Sequence, residues 1–172
     1  GLSAQTITFP ALTGVRLDQA APVPAATASS GLAVTYSTAS TACSVTSGGV
    51  ITLLAVGDCT INADQAGDAT YNAAPQVSRT FAIAKGDQTI TFGALADQTL
   101  ADSPVTVGAT ASSGLAVSFS SNSLAVCTVS GTSVTLLTTG TCSISADQAG
   151  NATWHAAPQV TQTFTVSSAP KT

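Results

Sequence analysis

Charge is scarce in this chain. Of 172 residues, 7% are charged, against about a quarter in an ordinary soluble domain. Lys and Arg together number 4, all 8 acids are Asp, and there is one His, no Glu and no Met. Each shortage excludes something. Four basic residues cannot neutralise a nucleic-acid backbone. A single His cannot build a multi-histidine metal site. Without Glu and with so little Lys, a long helical bundle is not supported. No apolar run approaches the ~20 residues of a membrane-spanning helix. Gly1-Leu2-Ser3-Ala4 lacks the basic and apolar regions of a signal peptide and reads as the start of a mature fragment or excised piece. Hydrophobic residues, however, reach 44%, which is too many for a disordered chain.

What is present is one unit written twice. Gln5-Thr6-Ile7-Thr8-Phe9 recurs at 88–92, residues 26–34 recur unchanged at 109–117, Ala63-Asp64-Gln65-Ala66-Gly67 recurs at 146–150, and residues 73–77 recur at 156–160. The offset is 83, rising to 84 at the first cysteine (Cys43 and Cys127) and returning to 83 at the second (Cys59 and Cys142). Such slippage is typical of loop tips. Within each copy the apolar residues alternate, as in Leu32, Val34, Tyr36 and in Cys59, Ile61, Ala63. Period two means strands with one face in and one out. Gly and Ser clusters punctuate the runs. About seven strands fit each copy, at turn spacings of roughly 8–12 residues, which is the signature of a sandwich. The predicted strands of the first copy are 5–9, 23–28, 32–37, 43–46, 50–56, 59–64 and 76–84, with the second copy following at the offset. The expected fold class is all-β: two tandem Ig-like sandwiches over 1–86 and 87–172. Only Lys85, Gly86 and Asp87 lie between the last strand of one copy and the first of the next, so an end-to-end arrangement with a modest hinge at Gly86 is expected.

Each copy holds one cysteine pair. Pairing within the copy, Cys43–Cys59 and Cys127–Cys142, is the simplest of the three connectivities four cysteines allow. Strand alternation places Cys43 on the face of Val45 and Cys59 on the face of Ile61, so both sulfurs are expected inside, joining the two sheets. Closing such a loop is worth roughly 3 kcal/mol, a large help to an ~85-residue domain, and implies an oxidising compartment. Reduced buried thiols are the alternative. A zinc site is a poorer one, since the spacing is wrong and the His lies elsewhere.

Val34-Thr35-Tyr36-Ser37, then Cys43-Ser44-Val45, Val50-Ile51-Thr52-Leu53 and Gly57-Asp58-Cys59-Thr60-Ile61-Asn62-Ala63, together resemble the bacterial immunoglobulin-like repeats of large surface and secreted proteins. The Gln-Thr-Ile-Thr-Phe opening and the Gln-Ala-Gly-Asp/Asn-Ala-Thr-Tyr/Trp segment resemble a cysteine-containing branch of them. The resemblance covers both copies and implies a cell-surface or secreted location. It implies no catalytic residues, because such modules serve as stalks, spacers, adhesive tips and carbohydrate-contacting units alike.

Candidate sites are few. A nucleophilic triad would need His155 with Asp147 nearby, but no Gly-x-Ser-x-Gly elbow occurs and the first copy has Asn72 at the matching place. An enzyme is therefore not expected, and no cofactor is implied. A calcium site would draw on Asp64, Asp68, Asp87, Asp147 and Asn151, yet no Asp-x-Asp-x-Asp pattern exists, and turn capping by Asp64 and Asp147 is the plainer reading. Tyr71 and Trp154 hold equivalent places in the loop before the last strand. Either the rings close the end of the sandwich, or Trp154 with His155 contacts a ligand such as a sugar. The expected function is an extracellular spacer in a bacterial surface or secreted repeat protein, with neighbouring repeats as partners. The alternative is an adhesive or carbohydrate-binding module that meets a host or matrix glycan or protein through its loop aromatics.

Overall fold

The computed structural model describes residues 1–168. The chain divides into two compact units, Gly1–Gly86 and Asp87–Thr172, and each is an Ig-like β-sandwich. In the first unit the strands are β1 (Ile7–Thr8), β2 (Val15–Arg16), β3 (Thr27–Ala28), β4 (Thr35–Ser37), β5 (Cys43–Val45), β6 (Ile51–Leu53), β7 (Gly57–Asp64) and β8 (Val77–Ala84). A four-stranded sheet has the order β2-β8-β7-β4, and smaller ladders join β1 to β3 and β5 to β6.

The β7–β8 hairpin is the spine, with Cys59 opposite Phe81 and Ala63 opposite Val77. Period two is realised on it: Cys59, Ile61 and Ala63 are fully buried, while Asp58, Thr60 and Asn62 turn toward water. Phe81 and Ile83 of β8 face the same core, and Ile7, Phe9, Cys43 and Ile51 close it from the other side. Each fully buried side chain of this size contributes about 1.5–3 kcal/mol. The opening segment changes sheets. Ile7–Thr8 pairs antiparallel with β3, whereas Val15–Arg16 runs parallel to Ile83–Ala84 of β8. Pro10, which has no N–H to offer a ladder, lies between the two halves.

The second unit follows the same plan with β9 (Ile90–Thr91), β10 (Gln98–Thr99), a short 3-10 turn at Leu100–Asp102, β11 (Val105–Thr106), β12 (Thr110–Ala111), β13 (Ser118–Ser121), β14 (Cys127–Ser130), β15 (Ser133–Leu136), β16 (Gly140–Asp147) and β17 (Val160–Ser167). Its larger sheet is β10-β17-β16-β13, and its second is β11-β15-β14, with β9 paired to β12.

Both disulfides form within their units, Cys43–Cys59 and Cys127–Cys142, each with a Cα–Cα distance of 5.8 Å. They tie the small sheet to the large one, and all four cysteines are buried. No free cysteine is present among the described residues.

Several strand expectations need correction. Only Thr27–Ala28 of the strand expected over 23–28 is extended in a ladder. Val23 is flanked by Pro22 and Pro24, which have no N–H to donate, and it stands 82% exposed. The expected strand over 50–56 stops at Leu53, because the N–H groups of Leu54 and Ala55 both turn to the carbonyl of Ala42. Leu32 and Val34 lie outside β4, which begins at Thr35. The parallel strand β2 was not expected: its two residues carry no alternation to read.

Candidate functional site

The loops before the last strands, 65–76 and 148–159, hold most of the candidate residues. Their shape follows from the Gln-Ala-Gly segment. In the first unit Gln65 Nε2 donates to the carbonyl of Ala33 (2.7 Å), and Gln65 Oε1 accepts from the N–H of Gly67 (2.6 Å). Gly67 sits at φ +77°, and a Cβ there would lie 2.4 Å from the Tyr71 carbonyl oxygen. Only glycine fits such a place. Asp68 then closes the turn, its Oδ1 accepting from the N–H groups of Thr70 (2.7 Å) and Tyr71 (2.8 Å). This is Asx-turn chemistry.

The second unit repeats it with Asn151. Asn151 Oδ1 accepts from Thr153 (2.8 Å) and Trp154 (2.9 Å), and Gln148 replaces Gln65 with bonds of 2.6 Å to Ala116 O and from Gly150 N. Thr153 thus belongs to the turn that Asn151 closes.

A buried glutamine latches each loop to the body of its unit. Gln5 is 3% exposed, as is Gln88. Gln5 Nε2 donates to Asn72 O (2.8 Å) and its Oε1 accepts from the Ser30 hydroxyl. Gln88 does the same with His155 O (2.8 Å) and Ser113. Buried amides persist only when so satisfied. Reading the sequence assigned these glutamines no role. The available signal was their identity at one place in both copies, beside a serine that also repeats.

The candidate residues do not converge. Both carboxylate oxygens of Asp64 accept from Gln76 Nε2 (3.0 Å each), and those of Asp147 from Gln159 Nε2 (3.0 and 3.1 Å). Asp147 therefore meets a glutamine, not His155. One Oδ1 of Asp68, and that of Asn151, is already occupied by two backbone donors. Asp87 is exposed at the start of the second unit. Among the described residues no three His, Cys, Asp or Glu side chains gather where they could hold a metal. Tyr71 and Trp154 are half-buried, and neither is among the apolar residues packed on the cores. His155 is exposed, with only its backbone carbonyl engaged by the latch. The loop therefore presents Trp154 and His155 on a rigid frame. No helix among the described residues is long and apolar enough to cross a membrane.

No family model matches the chain, and no curated protein matches it. Solved structures similar to it include Drosophila N-cadherin EC1-4, at 10% identity and TM-score 0.37 over 95% of this chain and 51% of that one. Domains 4 and 5 of the S-layer protein SbsC match at 13% identity and TM-score 0.38, covering 97% of this chain and 99% of that one. A C-terminal fragment of intimin, in complex with the intimin-binding domain of its translocated receptor, matches at 20% identity and TM-score 0.32, over 94% and 62%. The chain spans about half the length of the N-cadherin fragment.

Proposed function

We propose that the two units form a spacer module of an extracellular repeat protein, of the bacterial surface or secreted kind. The observation that carries this reading is that three structural devices occur twice. Each unit has its own core, its own sheet-to-sheet disulfide and its own glutamine latch. A chain that must hold its shape under load gains from units that each resist unravelling alone. The buried disulfides favour an oxidising compartment, and the hydroxyl-rich strands keep an almost uncharged surface hydrated.

Force spectroscopy on the 172-residue chain tests the reading. With its disulfide intact, a unit cannot extend through the segment between its cysteines, which are 16 residues apart in the first unit and 15 in the second. At up to about 3.6 Å per extended residue, reduction lengthens each unfolding step by about 50 Å. Two steps of similar force, each lengthened on reduction, support the spacer. A unit that unfolds at negligible force speaks against it.

An adhesive module is the second reading. Trp154 and His155 favour it, since a rigid loop carries them outside the core. Titration of the chain with glycans, read by Trp154 emission, discriminates. A saturable shift abolished by Trp154→Ala supports adhesion.

A further inference from the structure

The loop turns of the two units differ by one chemical group. Asp68-Ala69-Thr70 of the first unit is Asn151-Ala152-Thr153 in the second, an amide nitrogen standing where the first has a carboxylate oxygen. Of the four asparagines only Asn151 has a Ser or Thr two residues on, and the residue between them is not proline. That spacing is the acceptor pattern for an N-linked glycan. The pattern counts only where the site is exposed and its amide nitrogen is unengaged.

Both conditions are met. Asn151, Ala152 and Thr153 are all exposed. Oδ1 of Asn151 accepts from the N–H groups of Thr153 (2.8 Å) and Trp154 (2.9 Å). Only the oxygen of an amide can face two donors, so the orientation is fixed and Nδ2 is turned away from the turn. Among the described residues neither Nδ2 nor the Thr153 hydroxyl has a hydrogen-bond partner. The backbone on either side is held by Gly150 N–H to Gln148 Oε1 (2.6 Å) and Asn151 N–H to Trp154 O (3.0 Å).

The two donors also suit the reaction. An amide nitrogen is a poor nucleophile until it gives up a proton, and negative charge then gathers on the amide oxygen. Donors aimed at an oxygen where charge develops stabilise it. The first unit shows that this place accommodates a carboxylate oxygen: Asp68 Oδ1 takes the same two bonds, at 2.7 and 2.8 Å.

We propose that Asn151 is an acceptor for an N-linked glycan on the folded protein. The donor is a sugar activated at its anomeric carbon by a nucleoside diphosphate. Nδ2 forms the new bond to that carbon, and the bond from the carbon to the phosphate oxygen breaks. The nucleoside diphosphate departs with the electron pair, and one Nδ2 proton passes to a base of the transferase. The transferase supplies the catalysis; this chain supplies an exposed, oriented amide and the Thr153 hydroxyl beside it. A glycan there hydrates the loop of an almost uncharged surface.

The test incubates the folded 172-residue chain with UDP-glucose and a soluble N-glycosyltransferase specific for Asn-x-Thr, read by intact mass. The free peptide of residues 148–157 is the reference substrate. The folded chain is expected to gain one hexose, mapped to Asn151 by fragmentation, no more slowly than the peptide does. Asn151→Asp installs the first unit's residue, keeps the turn and abolishes the gain, with Trp154 emission unchanged. Asp68→Asn gives the first unit its own acceptor and raises the gain to two hexoses. A folded chain left unmodified while the peptide is labelled overturns the proposal. So does labelling that survives Asn151→Asp, or an Asp68→Asn chain that stays at one hexose.

Discussion

Gly150→Ala tests whether the loop that carries Trp154 is as tightly built as its geometry implies. Two costs are separable. The first is backbone strain, since Gly150 sits at φ +74°, where an L side chain costs roughly 1–2 kcal/mol. The second is steric. A Cβ there would lie 2.5 Å from Trp154 O, 2.7 Å from His155 C and 2.8 Å from Ala156 N. All three are backbone atoms, so the loop must open. Opening breaks Gly150 N to Gln148 Oε1, Asn151 N to Trp154 O and Gln88 Nε2 to His155 O, at about 1 kcal/mol each.

Gly114→Ala is the control. Its φ is +81°, but nothing lies within 4 Å of its Cβ position. It should cost about 1 kcal/mol, as the strain is partly offset by a less flexible unfolded chain. Gly150→Ala should cost about 4 kcal/mol, a large share of a domain's stability of roughly 5–15 kcal/mol. Trp154 is the only tryptophan, so urea unfolding followed by its emission reports on the second unit. Equal midpoint losses for the two variants would refute the steric argument and leave only backbone strain.

Three further outcomes follow from the same geometry. Replacing Cys127 and Cys142 by Ala opens a loop of 15 residues and should lower the second unit's stability by about 3 kcal/mol on chain entropy; denatured, non-reduced wild-type chain should show no titratable thiol. Gln88→Ala removes the latch and leaves the His155 carbonyl and the Ser113 hydroxyl without this partner, costing about 1–3 kcal/mol for the two bonds and red-shifting Trp154 emission. Adding millimolar calcium should leave the melting temperature unchanged, because the oxygens of Asp64 and Asp147 are held by Gln76 and Gln159; a rise of several degrees contradicts this.

The legible parts of this molecule are those whose cause is local or repeated. Alternation along 59–64 faces Cys59, Ile61 and Ala63 inward because successive side chains of a strand take opposite sides. That single rule, with one cysteine pair in each copy, is enough for the disulfides. Less legible were the short strands. Val23 carries strand propensity, yet the two prolines beside it decide against a ladder. The parallel pairing of Val15–Arg16 with Ile83–Ala84 joins residues far apart in sequence, which no local pattern encodes.

The candidate site divides in the same way. Two homologous Ig-like sandwiches, each with a buried pair of cysteines, and a chain poor in reactive groups were determined by the amino-acid sequence alone. Repetition and period-two patterning need no partner to be read. Tertiary structure decided that Gln5 and Gln88 hold the loops, since their acceptors lie 67 residues away in each case. It also decided that the second unit pairs Val105–Thr106 with a sheet edge that the equivalent segment of the first unit flanks without a ladder. Proline marks where a donor is lost, but only the folded chain shows which ladder that donor would have completed.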